Sequence, residues 1–262
     1  MSRTKIWAVI VLGLISSFPC YAKKPTSISD SELSQITLRG RVLYEYDQAA
    51  WHATDAVQDV HPAQQDVGRY IARKTDEGWN VAFGHLDEKR DAFLISYLAL
   101  QGSKPQEFSV QHYAMPKSDT GFYLASARAI DLALSDFKGE QRPYNVAVLP
   151  ATGDQLYVYV LPAQTKNRIY PLGGDVRYLI SADGNSILET RHMHHSVLDF
   201  DMNSPDVAKM TAGFHVHVLS DVPEDSDVFF VLTRRPAVPE YIMIDKKMRY
   251  IILTDGSITI LK

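Results

Sequence analysis

Cysteine is almost missing from this chain: Cys20 is the single one in 262 residues. An intramolecular disulfide scaffold or a multi-cysteine metal centre needs more sulfur than that, and thiolate catalysis would rest on Cys20 alone. Long apolar runs are missing too. The longest, residues 6–15, is about half the roughly twenty residues that a membrane-spanning helix requires. An excess of positive charge is also absent, since the formal net charge is −4. That balance argues against nucleic acid, whose phosphates demand a basic surface, and it leaves no polybasic patch for anionic lipid. Finally, there is no G-x-S-x-G elbow, no Walker loop and no G-x-G-x-x-G, so the common nucleophile and nucleotide motifs are excluded.

What is present begins with a leader. Arg3 and Lys5 precede the apolar run 6–15, and Pro19 interrupts the chain ahead of Cys20-Tyr21-Ala22, which is the layout of a secretory signal. Cleavage after Ala22 removes Cys20 together with Arg3 and Lys5, taking the formal charge from −4 to −6 and leaving a mature chain without sulfhydryl groups. Lipid attachment at Cys20 is the other reading, although Ser17-Phe18-Pro19 does not match a lipobox. The expectation is a periplasmic or secreted protein. With 45% apolar residues it has ample material for a core.

The hydrophobic pattern predicts an α+β fold. Residues 23–35 read as a polar lead-in, and the alanine-rich stretch 41–58 as a helix with one buried face. Four β-rich runs follow, GRYIARKT, GWNVAFGHL, DAFLISYLAL and EFSVQHYAM, joined by polar turns at 76–78 and 87–90 and ended by Pro116. Asp119 is placed as the N-cap of a second helix reaching Phe137. The remaining runs, from YNVAVLP to SITILK, read as strands, among them SILETRHMHHSVLDF and DVFFVLT, with hairpin turns at Asp183-Gly184 and Asp255-Gly256. The expected organisation is a signal at 1–22, an N-terminal module at 23–118 and a C-terminal module at 119–262, each a helix followed by mostly antiparallel strands.

Five of the nine histidines lie between residues 189 and 236. His215 and His217 are two apart, so on a strand both imidazoles leave by one face while Phe214, Val216 and Val218 leave by the other. His192 and His194 repeat the spacing upstream, and Asp225 and Asp227 follow closely. If 186–200 and 212–219 are antiparallel neighbours, a register whose paired numbers sum to 411 sets His194 opposite His217, with His192 on the same surface. An even sum brings His195, Arg191 and Met193 there instead. Two imidazoles on one strand plus a carboxylate form a ligand set for a divalent cation, zinc first. Histidines on strands are also common as surface or hydrogen-bonded core residues, and grouped imidazoles can act as a protonatable patch. Arg234 and Arg235, before Pro236, read either as an anion clamp or as a solvated strand end.

The run AGFHVHVLSDVPEDSDVFFVL resembles the H-x-H, seven residues, S-x-x-D motif of JAB/MPN-type zinc hydrolases, which cleave peptide and isopeptide bonds. The resemblance implies His215, His217 and Asp227 as zinc ligands, Ser226 as the polar neighbour, and an upstream glutamate, of which Glu189 is the nearest, to handle the water's proton. Val216 and Val218 stand where that motif has Ser or Thr and Pro, and Ser226 directly abuts Asp227. The longer stretch HVHVLSDVPEDSDVFFVLTRRPAVPEYI looks like one found in uncharacterised secreted bacterial proteins, a family that implies no activity. The sequence reading is therefore an exported protein with a divalent-metal site at His215, His217 and Asp227, completed by His192 or His194. A metal-free envelope module for a protein or small-molecule ligand and a JAB-like hydrolase are the alternatives.

Overall fold

The computed structural model describes residues 28–261, so the expected signal at 1–22, with Cys20, lies outside them. The first helix, α1 (Asp30–Asp59), starts where Ser29 Oγ accepts the Glu32 N–H, and Asp30 and Glu32 fill the first turn, where exposed N–H groups favour negative charge. Helix α1 begins eleven residues before the expected 41, because Leu33 and Ile36 extend the buried stripe of Gly40, Leu43, Tyr46, Ala50, Ala53 and Val57 back through the polar lead-in.

After the short α2 (Gln64–Val67) come β1 (Arg69–Thr75), β2 (Gly78–Leu86), β3 (Phe93–Gln101) and β4 (Phe108–Asp119), an antiparallel sheet in sequence order. Strand β4 runs past Pro116, where the sequence reading stopped it. It is an edge strand, and its pairing with β3 is irregular between His112 and Lys117, so the missing proline N–H leaves no ladder bond unmade. Helix α3 (Phe122–Asp136) follows; its N-cap is Gly121, not Asp119 as expected, but Asp119, at the end of β4, still accepts the N–H groups of Gly121, Tyr123 and Leu124 at Oδ1. A second antiparallel sheet has the order β5-β6-β8-β9, built from β5 (Tyr144–Pro150), β6 (Leu156–Pro162), β8 (Val176–Ile180) and β9 (Ile187–His192). The pair β7 (Ile169–Gly173) and β10 (Val197–Asp201) stands beside it. The last sheet has the order β11-β12-β13-β14: β11 (Gly213–Val216), β12 (Glu240–Ile244), β13 (Lys247–Ile252) and β14 (Ile258–Ile260), with β11 parallel to β12 and the rest antiparallel. The α+β class is as expected.

Three cores hold these layers together. Helix α1 covers one face of both four-stranded antiparallel sheets, burying Trp79, Val81, Phe83, Leu149 and Tyr159, while α3 covers the other, burying Ile71, Phe93, Val148, Val158 and Ile180. Both cores draw on residues from either side of position 118. The third packs α4 (Asp225–Thr233) between the start of α1 and the last sheet, through Leu33, Ile36, Val228, Val231, Ile242 and Ile252. Helices α1 and α4 touch at Gly40, where a Cβ would lie 2.4 Å from Val228 Cβ. Glycine is required there by contact, not by backbone angle.

Two strand expectations are overturned. DVFFVLT forms α4, because Glu224 and Asp227 make a reciprocal capping box and the helix is buried on several sides, which erases the amphipathic stripe that separates helix from strand. The run 186–200 is broken into β9 and β10, and neither pairs with β11. Gly173 and Gly174, both at positive φ, kink the partner chain between β7 and β8 at the same level. A Cβ on Gly173 would sit 2.3 Å from Ser196 O, so the matched break needs glycine.

Candidate metal centre

That double break throws Asp175 and His194 together on one side of the sheet, with Met193 N–H donating to Asp175 O at 3.1 Å across the gap. A second group comes from β11, where the usual polarity is inverted. Phe214, Val216 and Val218 are exposed, while His215 and His217 are buried. His215 lies on β11, paired with Ile242, and His217 just beyond it is held by its N–H donating to Met243 O. The third group is Asp227, fully buried in the first turn of α4, with Oδ2 accepting the Glu224 N–H at 2.7 Å.

The three imidazoles converge on this carboxylate through their Nε2 atoms. Asp227 Oδ1 is 3.0 Å from Nε2 of both His194 and His215, and Oδ2 is 3.1 Å from Nε2 of His217. His217 Nε2 is 3.2 Å from that of His194 and 3.1 Å from that of His215. The other ring nitrogens all face acceptors. His194 Nδ1 is 2.9 Å from Asp175 Oδ1, His215 Nδ1 is 3.0 Å from Glu240 Oε1, and His217 Nδ1 is 2.9 Å from Val222 O. Carboxylate and carbonyl oxygens accept, so each Nδ1 is placed to donate, and the Nε2 atom of each ring is the one turned to Asp227. Asp227 Oδ1, despite its neighbours, has no hydrogen-bond partner. Three ring nitrogens and one carboxylate therefore gather at one place, an arrangement that needs positive charge between them, carried by ring protons or by a cation. The four ligand atoms lie within 4.8 Å of one another, and the short separations among them are a few tenths below the roughly 3.3–3.4 Å between ligands at zinc distances of about 2.0–2.1 Å in a tetrahedron.

His194, His215, His217 and Asp227 can hold a metal ion.

No protein-family model matches the chain, and no curated protein or solved structure is significantly similar to it. The site has to be read from its own electrostatics. Burial opposes charge on His194, but the carboxylates of Asp175 and Asp227 outweigh it and hold the imidazole well above its ordinary pKa. Burial likewise opposes charge on His215, where Asp227 and then Glu240 prevail and push it up to about 9. Burial would raise the Asp227 carboxyl, yet the imidazoles of His217, His194 and His215 hold it well below the usual range. This is a field that favours positive charge at the centre, whether carried by protons or by an ion.

The other residues singled out from the sequence stand apart. His192 is exposed at the end of β9, opposite Val176, and is not in the cluster. Strand pairing does not deliver a histidine here; the loop after β9 delivers His194. Glu189 is exposed on β9, and buried Ser226 turns its hydroxyl to Met193 Sδ at 3.7 Å, away from the imidazoles. Arg234 is neither anion clamp nor solvated: it is fully buried and donates to Glu240 Oε2 at 2.6 Å, so it fixes the carboxylate that orients His215. Asp175 and Glu240 were not read as site residues. Glu240 opens β12 opposite Gly213, and only the parallel β11–β12 pairing brings it to His215.

Proposed function

We propose that the protein is an exported binder of a divalent transition metal, with zinc the first choice, held by His194, His215, His217 and Asp227. One observation carries this reading: the Nε2 atoms of three imidazoles, each fixed by an acceptor at Nδ1, gather on the Asp227 carboxylate, His194 and His215 at 3.0 Å from its unpartnered Oδ1 and His217 at 3.1 Å from Oδ2. Three nitrogens and one oxygen without sulfur suit zinc and its borderline neighbours. Four protein ligands fill a tetrahedron, which favours an ion that ties the β9–β10 loop, β11 and α4 together over one that activates water. Export is supported by the basic start, the apolar run at 6–15 and the near-absence of cysteine.

Hydrolysis of the JAB type ranks below this. It needs a carboxylate free to take a proton beside the ion, and those nearest are engaged: Asp175 by His194, Glu240 by His215 and Arg234, Glu224 by Arg191.

Elemental mass spectrometry on the mature protein, purified without a histidine tag, tests the proposal. The expected result is zinc near one equivalent, lost in a His215→Ala/His217→Ala variant. Neither protein taking up metal after incubation with zinc would sink the reading. A finer test concerns Asp175, whose carboxylate sets the ring and tautomer of His194. Asp175→Asn keeps the shape but removes the charge, and zinc affinity is expected to fall by about ten- to a hundredfold in competition with a chromophoric chelator. Unchanged affinity would exclude His194 from the ligand set.

A further inference from the structure

A second site lies on the other side of α4. Between α1, α4 and the ends of β5, β6 and β7 there is a cavity of about 80 Å³, room for roughly five or six water-sized groups. Its walls are aromatic, from Tyr46, Tyr70, Tyr170 and Phe230, and one acidic side chain, Asp47 of α1, faces them. Asp47 is partly buried, and its side chain is hydrogen-bonded to the Gln48 amide, at 3.3 Å. Among the described residues no cationic side chain pairs with it, and burial accordingly pushes its carboxyl above the ordinary range. Even a partly buried carboxylate without a counter-charge is costly. A partly open cavity with aromatic and apolar walls and one such group has the make-up of a small-molecule site.

We propose that this cavity binds a primary ammonium group, either a short alkylammonium ion or the ammonium end of a longer chain that leaves through the mouth. The –NH3+ would pair with Asp47 and lie against the tyrosine rings, whose faces attract cations. Asn145 and Gln164, also in the lining, carry amide oxygens able to take its other protons. A metal ion fits poorly, because one carboxylate among aromatic rings is not a ligand set. An anion is repelled by Asp47, and a neutral molecule leaves that charge uncompensated. The inference is independent of the metal centre: α4 lends Asp227 to one site and, further along, Phe230 and Thr233 to the other.

The probe is n-propylammonium, titrated into the zinc-loaded mature protein and followed by amide chemical shifts, with 1-propanol as the uncharged match. Saturable shifts confined to the cavity lining are expected, with 1-propanol weaker by at least about tenfold. Asp47→Asn should lose the same factor. Thr233→Met, which adds bulk to the lining and leaves the carboxylate in place, should abolish the response, and it serves if Asp47→Asn folds poorly. No saturable shift with n-propylammonium, equal binding of the alcohol, or retained binding in both variants would overturn the proposal.

Discussion

Stripping the proposed zinc ion with a chelator is expected to lower the thermal midpoint by about 10 °C. An ion present at a thousand times its dissociation constant stabilises the folded state by about 4 kcal/mol, and for a chain of this size each kcal/mol moves the midpoint by about 2–4 °C. The structure says where the loss falls. Strand β11 has four residues, lies at a sheet edge, pairs only with β12, and turns Phe214 and Val216 to solvent, so little apolar burial holds it. Its inward contacts are the two imidazoles. Without the ion, three ring nitrogens and a carboxylate face one another, and β11, the 193–196 loop and the first turn of α4 should lose hydrogen-exchange protection before the α1 and α3 cores do. The His215→Ala/His217→Ala variant should show no response to the chelator. A midpoint unmoved in the wild type after the metal has demonstrably left would mean that packing alone holds β11, and the ion's tying role would fall.

How much of this was legible in the sequence depends on how local each signal is. His215 and His217 are set by two-residue alternation on one strand, so their shared, inward face follows from spacing alone. Asp227 was named as a third ligand on an expected strand and is found beside them on a helix. The residue was legible from the motif, but the element was not, since a buried helix and a buried strand show the same short apolar run. His194 was one of two choices because its position was argued from an assumed pairing. The geometry arises instead from Gly173-Gly174 kinking one pair of strands and letting the other break opposite. Asp175 and Glu240 are single acids that meet their histidines through pairings between distant strands, and nothing local marks them. The strands of the first two antiparallel sheets were readable because polar turns such as Asp76-Glu77 and Asp183-Gly184 bound them.

Asp225→Ala is expected to destabilise the protein about as strongly as losing the metal, through a different network. Asp225 is fully buried at the start of α4. Arg39 Nε donates to both of its oxygens at 3.0 Å, Arg177 pairs with Oδ2, and the Tyr159 hydroxyl donates to Oδ2 at 2.9 Å. Burial and the Asp225 charge hold the Tyr159 phenol well above its ordinary pKa, so it remains a donor. Both guanidinium groups also lie against the ring of Tyr157, Arg177 at 4.8 Å and Arg39 at 5.9 Å from its centre. Alanine would leave two like charges over one ring with no anion between them. Breaking a buried ion pair by removing one partner costs about 3–5 kcal/mol, and the lower end applies because the Arg39 side chain is 23% exposed and can turn to water. Urea unfolding should show a loss near 3 kcal/mol. Asp225→Ala combined with Arg177→Met should recover part of it, since the second change removes the stranded charge that the first creates. A loss within about 0.5 kcal/mol, the scale of ordinary surface substitutions, would mean that solvent already screens the cluster. Because Asp227 lies in the same helical turn, zinc affinity measured on the Asp225→Ala variant separates the two roles. A fall in stability with affinity retained assigns Asp225 to holding α4 against α1 and β8. A fall in both shows that the arginine cluster also sets the position from which Asp227 reaches the histidines.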